Sequence, residues 1–332
     1  MRHVFIINPN AGKGKAIGSI HPVIQKYCTE HRLDWDVYIP DSPTGAREFI
    51  RAEAEKAGDN PIRFYACGGD GTLYEAVNAA YPFKNAEVGV IPLGSGNDFI
   101  RLFGTAEQFR DIDAQVNGTA VALDLVKCDK GQVAINQSSM GFDGEVCAKK
   151  EEFKNLLPVM RGNTAYTASV AYCFFHKMKN EFTIQIDDGE PVKKNVIFCV
   201  AASSRWYGGG FKAAPFALPN DGYLDFVIVE KNMPRVKLLP LINMYKNGEH
   251  AKLADRGILT YIRGKKIKIH SDKQAAINCD GEYMYVNDVT FEVMEKGIKF
   301  IVPKTSSYFH DVEMGKINGE IPVEIQKYCS KL

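Results

Sequence analysis

Over the first third of the chain, short apolar runs alternate with stretches of helical spacing. Apolar runs at 4–8, 34–39, 62–66 and 88–92 read as strands. Helices follow from about residue 16, before Gly58, and over 73–80. This alternation predicts a parallel, doubly wound sheet up to about residue 123. From residue 120 the spacing tightens. Strands 121–126 and 132–137 are expected to pair around the Asp129-Lys130-Gly131 turn. Helical patterns return at 146–153 and 164–178. In the second, Tyr166, Val170, Phe174 and Phe175 share a face that is core or the lining of a lipid groove. Strands are then expected at 182–186, 196–202, 261–270, 289–293 and 298–302, with a hairpin at 276–283. A helical insert occupies 234–246, and a last helix starts near Pro322. The pattern divides the chain into an α/β domain, 1–123, and a β-rich domain, 124–302, with 303–332 packing back on the first.

Composition narrows the classes. A chain of 332 residues with a formal net charge of +1 has no polyanion-binding bias, so no nucleic-acid partner is expected. The N-terminal apolar run is too short for a signal peptide and reads as the first strand. No apolar stretch approaches the roughly 20 residues that span a bilayer. Eight scattered cysteines without a Cys-x-x-Cys pair suit buried free thiols in a reducing cytoplasm.

The chemistry concentrates at two turns. Gly68-Gly69-Asp70-Gly71-Thr72 joins a strand to a helix that begins Leu73-Tyr74. Bare glycines admit a phosphate to the backbone, and a helix N-terminus offers N–H groups and a positive dipole end. Asp70 can orient a nucleotide or hold Mg²⁺; the plainer reading is a capped tight turn. Pro92-Leu93-Gly94-Ser95-Gly96-Asn97-Asp98 repeats the device one strand-helix unit later. Both turns belong at the carboxyl edge of a parallel sheet, where such sheets bind ligands. Asn8-Pro9-Asn10-Ala11-Gly12 forms a third loop without the ending of a Walker motif.

The paired turns resemble the diacylglycerol kinase catalytic-domain family, which includes bacterial lipid kinases and the sphingosine and ceramide kinases. The first turn alone is less specific, since NAD kinases and phosphofructokinases carry relatives of it. The resemblance implies a nucleotide-binding α/β domain followed by a mainly antiparallel β-sandwich. It implies ATP contacts from Asn8, Pro9, Asn10, Ala11, Gly12, Gly68, Gly69, Asp70, Gly71, Thr72, Leu73, Tyr74 and Ser95. Where relatives carry a nucleotide-contacting threonine, Asp41 stands here, and the adjacent Ser42 is the candidate. Asp98 and Asp124 match a charge network around the active site. The turn Leu218-Pro219-Asn220-Asp221-Gly222-Tyr223 resembles a segment that holds a structural Mg²⁺ through the Asp221 carboxylate and the carbonyls of Leu218 and Tyr223. Asp280-Gly281-Glu282 resembles the catalytic turn, with Glu282 the first choice of base and Asp280 the second.

The function implied is ATP- and Mg²⁺-dependent phosphorylation of diacylglycerol or a similar lipid alcohol. The enzyme would be cytoplasmic and would meet its lipid at a membrane surface, in a cleft between the domains. A kinase of a soluble acceptor such as NAD, or a non-catalytic nucleotide- or lipid-binding regulator, is the alternative. The sequence leaves the acceptor lipid and the oligomeric state open, a homodimer included.

Overall fold

The computed structural model describes residues 1–42, 44–156, 163–231, 234–238 and 240–329. By their contacts they form two units. The first holds Met1–Leu125, Tyr207–Gly210 and Glu295–Asn318; the second holds Val126–Trp206, Phe211–Met294 and Gly319–Leu332. The stretch from Gly319 onward therefore groups with the second unit, where the sequence placed all of 303–332 with the first. The glycine segment 207–210 groups with the first.

In the first unit, β1 (Arg2–Ile7), β2 (Asp34–Tyr38), β3 (Ile62–Gly68) and β4 (Ala86–Pro92) are parallel, in the order β2-β1-β3-β4. β3 and β4 are buried along their whole length, as strands covered on both faces must be. Arg63 and Glu87 lie opposite each other on these strands and pair at 2.8 Å, so each buried charge has its partner. Phe5, Ile7, Tyr65, Cys67 and Ile91 form a core with Ile20, Ile24 and Cys28 of the helix Ala16–Glu30. Because β1, β3 and β4 are neighbours, the loops after them emerge side by side.

The second unit is antiparallel. β5 (Thr119–Cys128) ends in it and pairs with β6 (Gln132–Ala134). β7 (Gln137–Gly141), β8 (Asn180–Ile186), β9 (Val192–Ala202), β10 (Leu224–Glu230), β11 (Leu259–Gly264), β12 (Lys266–Cys279) and the start of β13 (Glu282–Val302) follow in the order β11-β10-β9-β7-β12-β13. β8 pairs with both β9 and β12. The helices Phe142–Leu156 and Asn163–His176 lie between β7 and β8. Phe142 and Phe174 pack on a core of Val200, Ala202, Val227 and Tyr261.

Three expected elements are divided. The strand expected at 132–137 breaks at Ile135 and Asn136, whose N–H groups turn to the carboxylate of Asp280. The strand expected at 261–270 breaks at Lys265. There Asp187 takes the N–H groups of Lys265 and Lys266, each at 2.8 Å. The insert at 234–246 forms two short helices, Arg235–Leu238 and Leu241–Asn247, with Leu239 outside the described residues.

Two histidines are buried in neutral form. His3 is 5% exposed and bonds the Tyr65 hydroxyl at 2.9 Å; burial and the Arg63 charge pull it down to about 4. His250 is 2% exposed and donates from Nε2 to the Ala213 carbonyl; burial pulls it down to about 4. In the unfolded chain each takes a proton near its ordinary 6.5. A depressed pKa contributes stability that is present above pH 6.5 and lost as pH falls toward about 4. The thermal midpoint should fall across this window, each histidine costing on the order of 3 kcal/mol at its acid end. Thermal melts of His250→Gln should show a flatter pH dependence than the parent.

Candidate active site

Three loops of the first unit interlock at the carboxyl ends of β1, β3 and β4. The Asn8 amide donates to Thr72 Oγ1 at 3.0 Å, and the Gly12 N–H donates to the Leu93 carbonyl at 3.1 Å. The Leu93 N–H donates to the Gly68 carbonyl at 2.8 Å. Gly69 and Gly94 cross with their backbones in contact. A Cβ built on Gly94 would lie 2.5 Å from the Gly69 Cα, so the crossing requires glycine.

Asp70 begins the helix Asp70–Ala80. Its carboxylate accepts the N–H of Asn97 at 2.7 Å and of Asp98 at 2.8 Å, which fastens the second turn to the first. Asp98 is 4% exposed. It accepts the Arg101 guanidinium at 3.0 Å and the Gly209 N–H at 2.7 Å. Arg101 also reaches the Gly96 carbonyl at 3.1 Å. Burial, and then the charge of Asp98, push the Asp70 carboxyl up against these hydrogen bonds. Asp124 is 2% exposed and accepts the Lys296 N–H at 2.7 Å.

The other candidates of this unit divide by exposure. Asn10, Gly12, Gly71 and Ser95 are exposed, and Asn8, Pro9 and Ala11 are half-buried. Leu73 and Tyr74 are buried core residues, which leaves their backbone as the part available to a ligand. Ser42 is exposed beside the start of the helix Gly45–Ala57, and a Cβ on Gly45 would lie 2.9 Å from its Oγ.

In the second unit, β12 and β13 form a two-residue hairpin. Cys279 pairs with Glu282, leaving Asp280 and Gly281 at the tip with φ of 48° and 107°. Short hairpins favour such left-handed backbone. The Asp280 carboxylate accepts three main-chain N–H groups: Ile135 at 2.7 Å, Asn136 at 3.2 Å and Gln137 at 2.9 Å. Glu282 is exposed.

The candidate metal turn lies in the same unit. Asp221 accepts the Tyr223 N–H at 3.0 Å, and its other oxygen is 3.6 Å from the Arg263 guanidinium. Arg263 also donates to Asp225 at 2.7 Å, to the Gly319 carbonyl at 2.7 Å and to the Phe216 carbonyl at 2.8 Å. Tyr261 donates its hydroxyl to the same Asp225. A fixed positive charge thus already faces Asp221. A divalent ion there would meet it in a half-buried setting, so this arrangement suits an arginine clamp better than a cation.

Asn97, Arg101, Gly209 and Arg263 were not among the site residues expected from the sequence. The Gly208-Gly209-Gly210 run carried a signal, because three glycines with φ of 60°, 85° and 107° mark a loop that closes on something. Arg101 gave none, since a lone arginine in a helix reads as a solvated side chain, and Arg263 sits in a lysine-rich strand that reads as a wet face.

A parallel sheet with interlocked glycine turns, in a chain with an antiparallel unit and an acidic hairpin, defines a phosphate-handling enzyme of the kinase kind. A model of the diacylglycerol kinase catalytic domain matches residues 2–128. One described as the YegS C-terminal NAD kinase beta sandwich-like domain matches residues 136–302. A diacylglycerol kinase of Bacillus subtilis is 28% identical over 303 residues, spanning 90% of this chain and 95% of that protein. One of Staphylococcus epidermidis is 30% identical over 257 residues, spanning 76% and 78%. The crystal structure of a diacylglycerol kinase from Bacillus anthracis superposes with a TM-score of 0.63 at 18% identity, covering 91% of this chain and 96% of that one. An NAD kinase from Archaeoglobus fulgidus, solved in complex with ATP, shares the fold with a TM-score of 0.50 at 13% identity, covering 97% of this chain and 100% of that one. The chain belongs to the diacylglycerol kinase catalytic-domain family and is a phosphotransferase of the lipid-kinase type.

The clamp at Asp221 makes a simple prediction. Without nucleotide, the thermal midpoint should not move when EDTA or Mg²⁺ is added. Arg263→Ala should lower it by several degrees, in keeping with about 2–3 kcal/mol for a hydrogen-bonded charge removed from its partners.

Proposed function

We propose that the chain transfers the γ-phosphate of ATP to the hydroxyl of diacylglycerol or a similar lipid alcohol, with Glu282 as the base. The observation that carries the residue assignment is the contrast within one hairpin. Three N–H groups hold the Asp280 carboxylate in a fixed position. Glu282, two residues on, is exposed and able to meet an acceptor. Asp280 is then the residue that positions the turn.

The first unit supplies the nucleotide platform. The loop 8–12, the turn 68–72 and Ser95 present backbone and small side chains to the phosphates, as helix N-termini and glycine turns do. Asp70 and Asp98 are two carboxylates with Arg101 as their nearest positive partner, a set short of one positive charge. That shortfall fits Mg²⁺, which would supply charge neutralisation to the phosphates when bound with ATP. Asp124 adds a third fixed carboxylate in this unit.

In the reaction, the acceptor oxygen attacks the γ-phosphorus and the bond to the β-phosphate oxygen breaks, releasing ADP. The hydroxyl proton passes to the Glu282 carboxylate as its oxygen bonds phosphorus. A lipid hydroxyl is too weak an acid to ionise beforehand. No helix among the described residues is long and apolar enough to cross a membrane. A lipid alcohol resides in a bilayer, so in this reading the enzyme takes it from a membrane surface.

The test is transfer of labelled γ-phosphate from ATP with Mg²⁺ to diacylglycerol, monoacylglycerol, ceramide or a sphingoid base in mixed micelles, with NAD offered separately. Label should enter a glycerolipid. Glu282→Gln should cut kcat by about 10²–10⁴-fold, the usual worth of a general base, with little change in the KM for ATP. Label in NAD alone would overturn the lipid assignment.

A further inference from the structure

β7 runs between β9 and β12 in the second unit, and its register fixes which way its side chains point. Ser139 lies opposite Asn278 of β12 and Val200 of β9, and Gln137 lies opposite Ala202 of β9. Two apart on one strand, Gln137 and Ser139 share a sheet face with Val200, Ala202 and Asn278. Val200 and Ala202 belong to the core on which Phe142 packs, so this is a covered face. The helix Phe142–Leu156 lies against β7 and β12. A Cβ on its Gly144 would lie 2.3 Å from the Ala276 carbonyl oxygen, so helix and strand touch there.

Polar side chains on a covered face are ordinarily hydrogen-bonded. Gln137 is 2% exposed and Ser139 0%, yet neither end of the Gln137 amide nor the Ser139 hydroxyl has a hydrogen-bond partner. The Ser204 hydroxyl is in the same state, and its N–H donates to the carbonyl of Asn136, the residue before Gln137. A dry, unpaired amide costs free energy, and a leucine of similar volume would fill the space without that cost. Packing therefore gives no reason for glutamine here. A ligand does, because Gln137 and Ser139 offer uncharged donors and acceptors to an uncharged, oxygen-bearing group. The main chain fixes where that group would sit. The Gln137 N–H donates to the Asp280 carboxylate at 2.9 Å, and the Asp280 N–H donates to the Gln137 carbonyl at 3.1 Å. Gln137 thus stands one strand spacing, about 4.8 Å, from the turn that leads to Glu282.

We propose that Gln137, backed by Ser139, hydrogen-bonds an ester carbonyl of the acceptor lipid beside the Asp280–Glu282 turn, and so makes the enzyme selective for acylglycerols. The substrate class rests on the kinase reading above. In an acylglycerol the ester carbonyls lie a few bonds from the free hydroxyl, so one end of the molecule can meet Gln137 while the hydroxyl meets the turn. The Gln137 amide N–H donates to the carbonyl oxygen, and the Ser139 hydroxyl is a second donor on the same face. In the free chain these atoms are closed to solvent, so the helix Phe142–Leu156 shifts from β7 as the lipid enters. An ether-linked glycerolipid has the same hydroxyl and chains but no carbonyl, and would leave the amide unpaired. A site built around a hydrogen bond rejects the analogue that lacks it far more strongly than an apolar cleft does.

The experiment compares dioctanoylglycerol with its dioctyl ether in the full chain and in Gln137→Leu, with Gln137→Met as the second variant. Kinetics, calorimetric binding of each lipid without nucleotide, and thermal melts are read together. The parent should prefer the ester by about 10–100-fold in kcat/KM and in affinity. Gln137→Leu should lose that preference through the ester alone, mainly in KM, and leave the ether and the KM for ATP unchanged. Its thermal midpoint should hold or rise, because an unpaired amide has been removed. A parent that treats the two lipids alike, or a variant that keeps the preference, overturns the site. A variant whose midpoint falls while both lipids weaken together also overturns it, since the glutamine would then be structural. Binding separates this proposal from the kinase reading. Ester binding that depends on Gln137, in a parent that phosphorylates no glycerolipid, would fault that reading and uphold the site. Turnover of the ester with no dependence on Gln137 would do the reverse.

Discussion

Two carboxylates that repel each other are held close together in the first unit, and much of its architecture serves to tolerate them. Asp70 gathers the N–H groups of Asn97 and Asp98, and Asp98 takes Arg101 and Gly209. These bonds fix the second glycine turn against the first, and they require backbones that approach without a Cβ at Gly69 and Gly94. The bonds reduce the electrostatic cost without cancelling it, since burial and the Asp98 charge still raise the Asp70 carboxyl. That residual imbalance is what the proposed nucleotide-bound cation would relieve.

The second unit handles its acidic pair in the opposite manner. It gives the two carboxylates different surroundings. Asp280 accepts three main-chain N–H groups, while Glu282 is exposed and outside that net. The same donors explain a break in the chain, because Ile135 and Asn136 cannot both serve Asp280 and continue a ladder. Arg263 shows a related economy. One guanidinium ties the Asp221 turn, Asp225 of β10 and the carbonyls of Phe216 and Gly319 together.

Most of this was legible in the sequence where a local pattern and a chemical need coincide. The strands β1, β3 and β4 are short apolar runs before glycine turns, and the Asp280-Gly281 tip sits between paired strands. What remained illegible depends on partners far apart in the chain. Nothing near Gln132–Gln137 reports that a carboxylate more than a hundred residues later will take its amides. Nothing near Lys265 shows that Asp187 will end β11 there. The metal turn was read from its local string, and the arginine that occupies its neighbourhood enters from a different strand.

The most direct test of this account is a ¹³C NMR titration of the Asp70 carboxyl, assigned by Asp70→Asn, with and without ATP and Mg²⁺. The account predicts that Asp70 titrates above its ordinary 3.8 in the free protein and moves down when the nucleotide and cation bind. A carboxyl that titrates at or below 3.8 in the free protein, and does not respond to the nucleotide, would contradict it.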